Sequence, residues 1–206
     1  MKCEACGQEA LFPHDCQGVR AILDQTPGSS ATPIGIVGYI RQALRIAFWD
    51  DDAVRQAADD PKALSYGILF WAVANYLPFA VKAAEFYSRG RSVLAIQTLV
   101  GALILLPLAA LLAIAQIGIC HLAAKWFCAA DGQFGRLIRP LLLGSIVLVL
   151  AAIPYVGIFA ASIAWVAIFC LVFQEIDNIE PLQAFLISAV IGIGFRIIQG
   201  ALFATF

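Results

Sequence analysis

Charged residues are scarce in this sequence. Only 13% of the 206 residues are Asp, Glu, Lys or Arg, whereas 62% are hydrophobic, and the mean hydropathy is +0.87. Soluble domains carry about 25% charged residues, so this balance argues against a soluble globular protein. The formal net charge is −1, which gives no general attraction for nucleic acid. We therefore predict a membrane protein without a nucleic-acid partner.

Formal charge is absent altogether from residues 141–173, a run of 33 residues. A single helical span needs only about 20 apolar residues. Pro154–Gly157 lies near the middle, where proline stops a helix and glycine permits a tight turn. The run predicts two apolar helices joined by a turn. Because Leu141–Ile153 covers only about 20 Å as an α-helix, full crossings and a re-entrant hairpin both stay open.

The remaining hydrophobic runs predict an all-α fold, a polytopic membrane helix bundle of about five transmembrane helices over residues 63–206. Besides the uncharged run, spans are predicted over 63–81, 93–119 and 182–206, with helix running on past residue 119 through Phe127. Residues 129–140 are predicted to form a polar loop. The spans must be helical because lipid offers no partners to backbone groups.

The orientation of the chain in the membrane is predicted from its charges and from the lack of a signal-peptide pattern. Residues 1–18 lack the apolar run of a signal peptide, so we expect the N-terminus to stay in the reducing cytoplasm. Six Lys and Arg residues near the spans would then face the cytoplasm and three the outside, in line with the positive-inside rule.

A small cluster of Cys and His residues opens the chain. Cys3 and Cys6 form a Cys-x-x-Cys pair, and His14 and Cys16 follow within ten residues. This pair spacing suits tetrahedral zinc, with the later two residues as the remaining ligands. We predict a zinc-knuckle-like head over residues 1–18 that folds around a structural zinc ion. Thiols without metal on a flexible tail and a redox pair are the alternatives.

Residues 19–32 have the composition of a flexible linker, and residues 33–62 are predicted to form amphipathic cytoplasmic or interfacial helices. The first would start with Thr32 as N-cap and Pro33 in its first turn. Arg41 and Arg45 lie off its apolar face, which therefore either packs on the spans or lies on the membrane with the arginines toward headgroups. Apolar residues at helical spacing define this face: Val37, Ile40, Leu44, Ala47 and Phe48.

Two acidic groups, Asp50–Asp52 and Asp59–Asp60, precede the first span. Aspartate is a preferred N-cap residue because its carboxylate accepts a hydrogen bond from the first helical turn. We interpret both groups as helix starts and solvated surface rather than as a cation site.

Four polar side chains fall inside the predicted spans: Asn75, Gln97, Gln116 and Arg196. Polar groups at such depth are costly and form hydrogen bonds between helices or line a solute path. For Arg196, a long stem that carries its charge to the headgroups is the simpler interpretation.

His121, with Lys125 and Asp131 nearby in sequence, is the candidate for a general base. A single histidine at a membrane boundary is more simply an interfacial residue. The sequence contains no Gly-x-Ser-x-Gly, His-Glu-x-x-His or Walker lysine motif. We therefore expect a protein that is not an enzyme.

Three segments resemble the Yip family, the Ypt/Rab-interacting membrane proteins, and the resemblance extends from Ala43 to Phe206. Phe48–Leu64 is similar to the amphipathic entry into the first span. His121–Gly157 contains a Gly-x-Phe loop at Gly132 and Phe134, a short third span and a Pro–Gly turn. Phe173–Ile193 has an acidic loop before the fifth span.

The resemblance implies a five-span bundle with a cytoplasmic N-terminus. Eukaryotic relatives act in vesicle transport and bind small GTPases, so a GTPase partner is implied by the resemblance alone. The compact chain and its Cys/His head are similar to prokaryotic relatives, which implies an inner-membrane location.

We therefore expect a non-enzymatic multi-pass membrane protein that organises the lipid bilayer or recruits a protein partner through residues 1–60. A small-solute or ion transporter and a lipid-modifying enzyme are the alternatives. Solute flux that depends on Arg196 would favour the transporter, and a lipid product that depends on His121 would favour the enzyme.

Overall fold

The computed structural model describes residues 35–203, with side chains through Phe195. Within these residues the chain is helical apart from short turns and contains no strand, so the predicted all-helical fold is confirmed for this part. The elements in chain order are α1 (Ile36–Ala47), α2 (Asp51–Asp59), α3 (Pro61–Ser88), α4 (Ser92–Cys128), α5 (Phe134–Gly144), the 3-10 helix η1 (Ser145–Ala152), α6 (Gly157–Asp177) and α7 (Pro181–Phe203).

Four segments among the described residues are long and apolar enough to cross a membrane, which is consistent with an integral membrane protein. They are Pro61–Ser88, Ser92–Cys128, Phe134–Ala152 and Gly157–Asp177. Helix α7 occupies the place of the predicted fifth span and is apolar over Pro181–Phe195.

The first span is longer than predicted, and the second has the length that was predicted for its helix. Helix α3 continues past Lys82 to Ser88, where Lys82 and Arg89 both pair with Glu85. These neutralising pairs, three and four residues apart, allow the helix to extend beyond the apolar region. Helix α4 has 37 residues and continues through Pro107. It ends at Cys128, which confirms the predicted continuation of the helix past residue 119 through Phe127.

The third span begins earlier than predicted. The sequence placed a polar loop over residues 129–140, but α5 already starts at Phe134, because Arg136 and Arg139 are held by neighbouring groups instead of lying in a solvated loop. Helix α5 continues directly into η1, which rises about 2.0 Å per residue. Together they rise about 32 Å, enough to cross a hydrocarbon core of about 30 Å.

The turn predicted inside the uncharged run is present. Ile153 leaves the helical conformation, and Tyr155 has a positive φ of 66°. A Cβ atom on Gly157 would overlap the backbone carbonyl of Leu150, so glycine is required by close approach of the backbone. Helix α6 then returns antiparallel to η1.

The two acidic groups start helices, as predicted. The Asp50 carboxylate accepts a hydrogen bond from Ala53 N at 3.0 Å and caps α2, and Asp60 accepts one from Lys62 N at 2.9 Å and caps α3. The predicted start of the first helix was wrong. Helix α1 begins at Ile36, because Gly35 adopts an extended conformation as its N-cap; Thr32 and Pro33 lie outside the described residues.

The core lies between α3, α5 and α6, at the end of the bundle that carries α1 and α2. Phe169 and Phe173 are almost fully buried there. Small residues permit close packing of the helices: a Cβ atom on Gly67 would come within 2.7 Å of Leu142 Cβ, and one on Gly144 within 2.8 Å of Ile168.

Candidate interfacial helix and polar sites

Helix α1 is docked on the bundle through one side. Tyr39, Ala43 and Ile46 are each at most 1% exposed. The Tyr39 hydroxyl donates a hydrogen bond to Asp60 at 2.5 Å, and its ring stacks on Tyr66 at 4.1 Å between centroids. Burial and this hydrogen bond raise the pKa of Tyr39, so the phenol stays a protonated donor at physiological pH. These contacts fix α1 against the start of α3.

A second apolar face of α1 has no partner among the described residues. Val37 is 70% exposed and Phe48 is 83% exposed, and Ile40 and Leu44 lie between them on the same side. The apolar pattern predicted from the sequence therefore marks this outer face and not the docked one. Docking on the spans, one of the two interpretations left open by the sequence, is therefore confirmed for the face of Tyr39, Ala43 and Ile46, and the membrane-surface interpretation stays a prediction.

The turn between α1 and α2 is fixed by an ion pair. Arg45 Nε lies 2.7 Å from Asp50 Oδ2, while Asp50 also caps α2 through Ala53. The hydrogen bond from Arg45, reinforced by the backbone of Ala53, lowers the pKa of Asp50. One carboxylate thus holds the corner and starts the next helix.

Helix α2 is held to the spans by arginines. Arg55 Nη2 lies 2.6 Å from Glu175 on α6, and Arg136 on α5 lies 2.8 Å from Asp59. Arg139 donates a hydrogen bond to the Ala58 carbonyl at 2.7 Å, which places a cation at the negative end of the α2 dipole. These contacts form a polar layer at one end of the bundle.

His121 is buried in this end of the bundle and faces Asp177. Nδ1 of His121 lies 3.1 Å from Oδ2 of Asp177, and the two side chains are 7% and 0% exposed. The Phe134 ring packs 5.8 Å from the imidazole. His121 was predicted to be an interfacial residue or a base near Lys125 and Asp131; it is buried instead, because the last turn of α6 supplies a carboxylate.

The loop of Gly132 closes over this pair. A Cβ atom on Gly132 would overlap Asp177 Oδ1 and come within 2.6 Å of the Ile176 carbonyl oxygen. Asp131 accepts a hydrogen bond from Asn178 Nδ2 at 3.1 Å, so it belongs to the loop contact rather than to His121. Asp177 Oδ1 is buried without a hydrogen-bond partner in the described part of the chain.

Asp177 is the functional candidate that sequence reasoning missed. The available signal was an aspartate at the end of the apolar helix α6, four residues after Phe173, where a buried carboxylate requires a partner. The sequence separates it from His121 by 56 residues. Only the tertiary fold brings the end of α4 next to the end of α6.

Two of the four polar residues predicted inside the spans meet at one cavity. Asn75 on α3 and Gln116 on α4 both line it. Gln97 is exposed on α4 and does not line this cavity. Helix α7 passes through position 196, but the side chain of Arg196 lies outside the described residues. Of the four residues on the predicted solute path, the structure thus brings Asn75 and Gln116 together.

The predicted zinc ligands Cys3, Cys6, His14 and Cys16 lie outside the described residues. Within residues 35–203 no group of three or more Cys, His, Asp or Glu side chains could hold a metal ion. Cys120, Cys128 and Cys170 are free thiols, of which Cys120 and Cys170 are buried. The zinc head stays a prediction.

Comparison with known proteins gives no relative: no protein-family model, curated protein or solved structure matches this chain. The resemblance to the Yip family therefore stays a prediction, and the function has to be argued from the molecule's own surfaces and sites.

Proposed function

We propose that this chain is a non-enzymatic, multi-pass membrane protein that organises one leaflet of its membrane through α1. The observation that carries the proposal is the unpartnered apolar face of Val37, Ile40, Leu44 and Phe48 on a helix already docked against the spans. A surface helix of this kind buries its apolar face about 5–10 Å into the boundary between headgroups and acyl chains.

The spacing of charges on α3 supports an interface at the level of α2. Lys62 and Lys82 are 20 residues apart, which is about 30 Å along a helix and equals the thickness of a hydrocarbon core. Arg139 and Glu175 both bind α2, which directly precedes Lys62. These charges mark one common level near the ends of α3, α5 and α6 that lie beside α2.

Helix α1 reaches below that level. The side chains of Ile46 and Ile168 converge on Gly144. Gly144 lies five residues beyond Arg139 on α5, and Ile168 lies seven residues before Glu175 on α6, so both are about 8–10 Å further into the bundle. In this proposal the Ile46 side chain reaches to acyl-chain depth, and Leu44 and Phe48 are directed away from the protein.

Insertion at this depth would expand one leaflet only. Helix α1 has 12 residues, giving a cylinder about 18 Å long and at least about 10 Å wide. No comparable amphipathic helix accompanies the opposite ends of the spans in the described part of the chain. Because the added volume is in one leaflet only, the membrane should curve so that this leaflet lies on the convex side.

The test is reconstitution of the full chain into large lipid vesicles and measurement of vesicle diameter by electron cryomicroscopy. Vesicles with the wild-type protein should become smaller as the protein-to-lipid ratio rises, and those with the double variant Leu44→Asp/Phe48→Asp should not. Gln56→Asp, which adds charge on the exposed surface of α2, should behave as wild type. Equal shrinkage by the Leu44/Phe48 variant would refute a role for α1.

We also propose that residues 1–60 recruit a protein partner and that Cys3, Cys6, His14 and Cys16 hold one structural zinc ion. Zinc content of the full chain, purified under reducing conditions without chelator, tests the second statement. Cys3→Ser should lower the zinc content, whereas Cys128→Ser, which changes a free thiol in the described part, should leave it unchanged. Absence of zinc from the wild type would refute it.

A further inference from the structure

A half-open cavity of about 50 Å³ lies between α3, α4, η1 and α6. Its walls include Asn75, Gln116, Trp71 and Trp165, with Leu148 from η1. Asn75 is the fifteenth residue of the 28-residue helix α3, and Trp165 is the ninth of the 21 residues of α6. The cavity is therefore near mid-membrane, far from the polar layer of α2.

The polar groups around this cavity keep hydrogen-bonding capacity that the described residues do not use. Asn75 donates one hydrogen bond from Nδ2 to the Trp71 carbonyl at 2.8 Å, which leaves its amide oxygen free to accept. Among residues 35–195, neither the Gln116 amide nor the indole N–H groups of Trp71 and Trp165 form a hydrogen bond. Trp71 and Trp165 are 6% and 8% exposed, and Asn75 and Gln116 are half-buried, so these polar groups can reach the cavity without being enclosed by protein.

We propose that this cavity is a binding site for small uncharged hydrogen-bonding molecules, with water as its resting occupant. A water molecule needs about 10–15 Å³ of such space, so a cavity of about 50 Å³ holds about three to five. The two amides supply donors and acceptors, and each indole supplies one donor.

The absence of charge selects the ligand class. None of the described residues that line the cavity is Asp, Glu, Lys, Arg or His. An ion at this depth would find no opposite charge among these lining residues to offset its desolvation. A neutral molecule with a donor and an acceptor can instead bind the amides and indoles that line the cavity. This site is independent of α1, and its occupancy does not depend on membrane bending.

Tryptophan provides the probe for a direct test. The chain has four tryptophans: Trp71 and Trp165 at the cavity, and Trp49 and Trp126, which are 54% and 76% exposed. In the full chain with ¹⁵N-labelled tryptophan in lipid nanodiscs, magnetisation transfer from water to each indole N–H can be measured by NMR. We expect transfer from water to Trp71 and Trp165 although both are buried; a lack of transfer to both would overturn the proposal.

Paired variants on α4 test which groups hold the occupant. Gln116→Leu removes one amide from the cavity and should reduce the water signal at Trp71 and Trp165 at least twofold. Gln97→Leu makes the same change on an exposed face and should leave it unchanged. Unaltered signals from Trp49 and Trp126 show that the variants fold. Equal effects of the two substitutions would contradict the assignment, and Asn75→Leu gives a second test if Gln116→Leu fails to fold.

Titration with urea distinguishes water from a solute as the physiological class of ligand. A saturable shift of the Trp71 and Trp165 signals, lost in Asn75→Leu, would assign the site to small neutral solutes. Water transfer without any saturable shift would assign it to water alone. Shifts that rise linearly with urea at all four tryptophans would reflect bulk solvent. If such linear shifts were found and no water transfer reached Trp71 and Trp165, the proposal would be overturned.

Discussion

Gly132→Ala offers the sharpest test of the buried end of the bundle. The new Cβ atom would lie 2.6 Å from the Ile176 carbonyl oxygen and would overlap Asp177 Oδ1. Carbon–oxygen contacts settle at about 3.3–3.6 Å, so the loop must move by about 0.7 Å or more. Its neighbours cannot move freely, because one is backbone and the other is a fully buried carboxylate.

The expected loss follows from these contacts. Overpacking of this kind costs about 1–3 kcal/mol, and displacement of Asp177 from His121 adds to it, which gives a total of about 3 kcal/mol. For a chain of this size each kcal/mol shifts the melting temperature by about 2–4 °C. Gly132→Ala should therefore melt about 6–12 °C below the wild type.

The control lies three residues away. A Cβ atom on Gly135 meets nothing within 4 Å, and alanine is favoured over glycine in a helix by about 1 kcal/mol. Gly135→Ala should therefore melt at or slightly above the wild-type temperature, as measured by circular dichroism in detergent. The chain has only two histidines, so the imidazole NMR signal of His121 can be assigned. This signal should also shift in Gly132→Ala, because Asp177 is displaced from His121. Equal melting of the two variants would refute the close contact.

Three further outcomes are expected. His121→Leu, which leaves Asp177 buried without a partner, should cost about 3–5 kcal/mol, and the double change His121→Leu/Asp177→Leu should recover most of it in thermal melts; additive losses would contradict a coupled pair. In a background without the native cysteines, Tyr155→Cys should react with an impermeant maleimide from the side opposite to Trp126→Cys, whereas protection from both sides would indicate a re-entrant hairpin. The folded-state pKa of Asp50 is lowered. Its contribution to stability is therefore fully present above about pH 3.9 and is lost as the pH falls through the folded-state pKa. In Asp50→Asn, helicity should therefore fall less steeply below about pH 4 than in the wild type.

Local sequence signals located the helices well where the chemistry is local. Asp50 and Asp60 were interpreted as helix starts, and each side chain caps its helix. Pro154–Gly157 was interpreted as the turn inside the uncharged run, and it is. Signals of this kind depend on residues three or four positions apart, which the sequence displays directly.

Boundaries failed where a distant residue compensates a charge. The segment with Arg136 and Arg139 looked like a loop, but both side chains are held by α2 and the segment is helical. The depth of the third span was underestimated for a related reason, since a 3-10 conformation over Ser145–Ala152 extends it. Neither effect is visible in hydropathy.

The sequence by itself determined that the chain is apolar and helical and divides into spans separated by turns, because hydropathy and capping act over short distances. The tertiary structure decided which polar groups meet. It paired His121 with Asp177, gathered Asn75 and Gln116 at one cavity, and left the Phe48 face of α1 uncovered. These outcomes depend on how helices far apart in sequence pack, because burial makes each polar group depend on partners that only packing supplies.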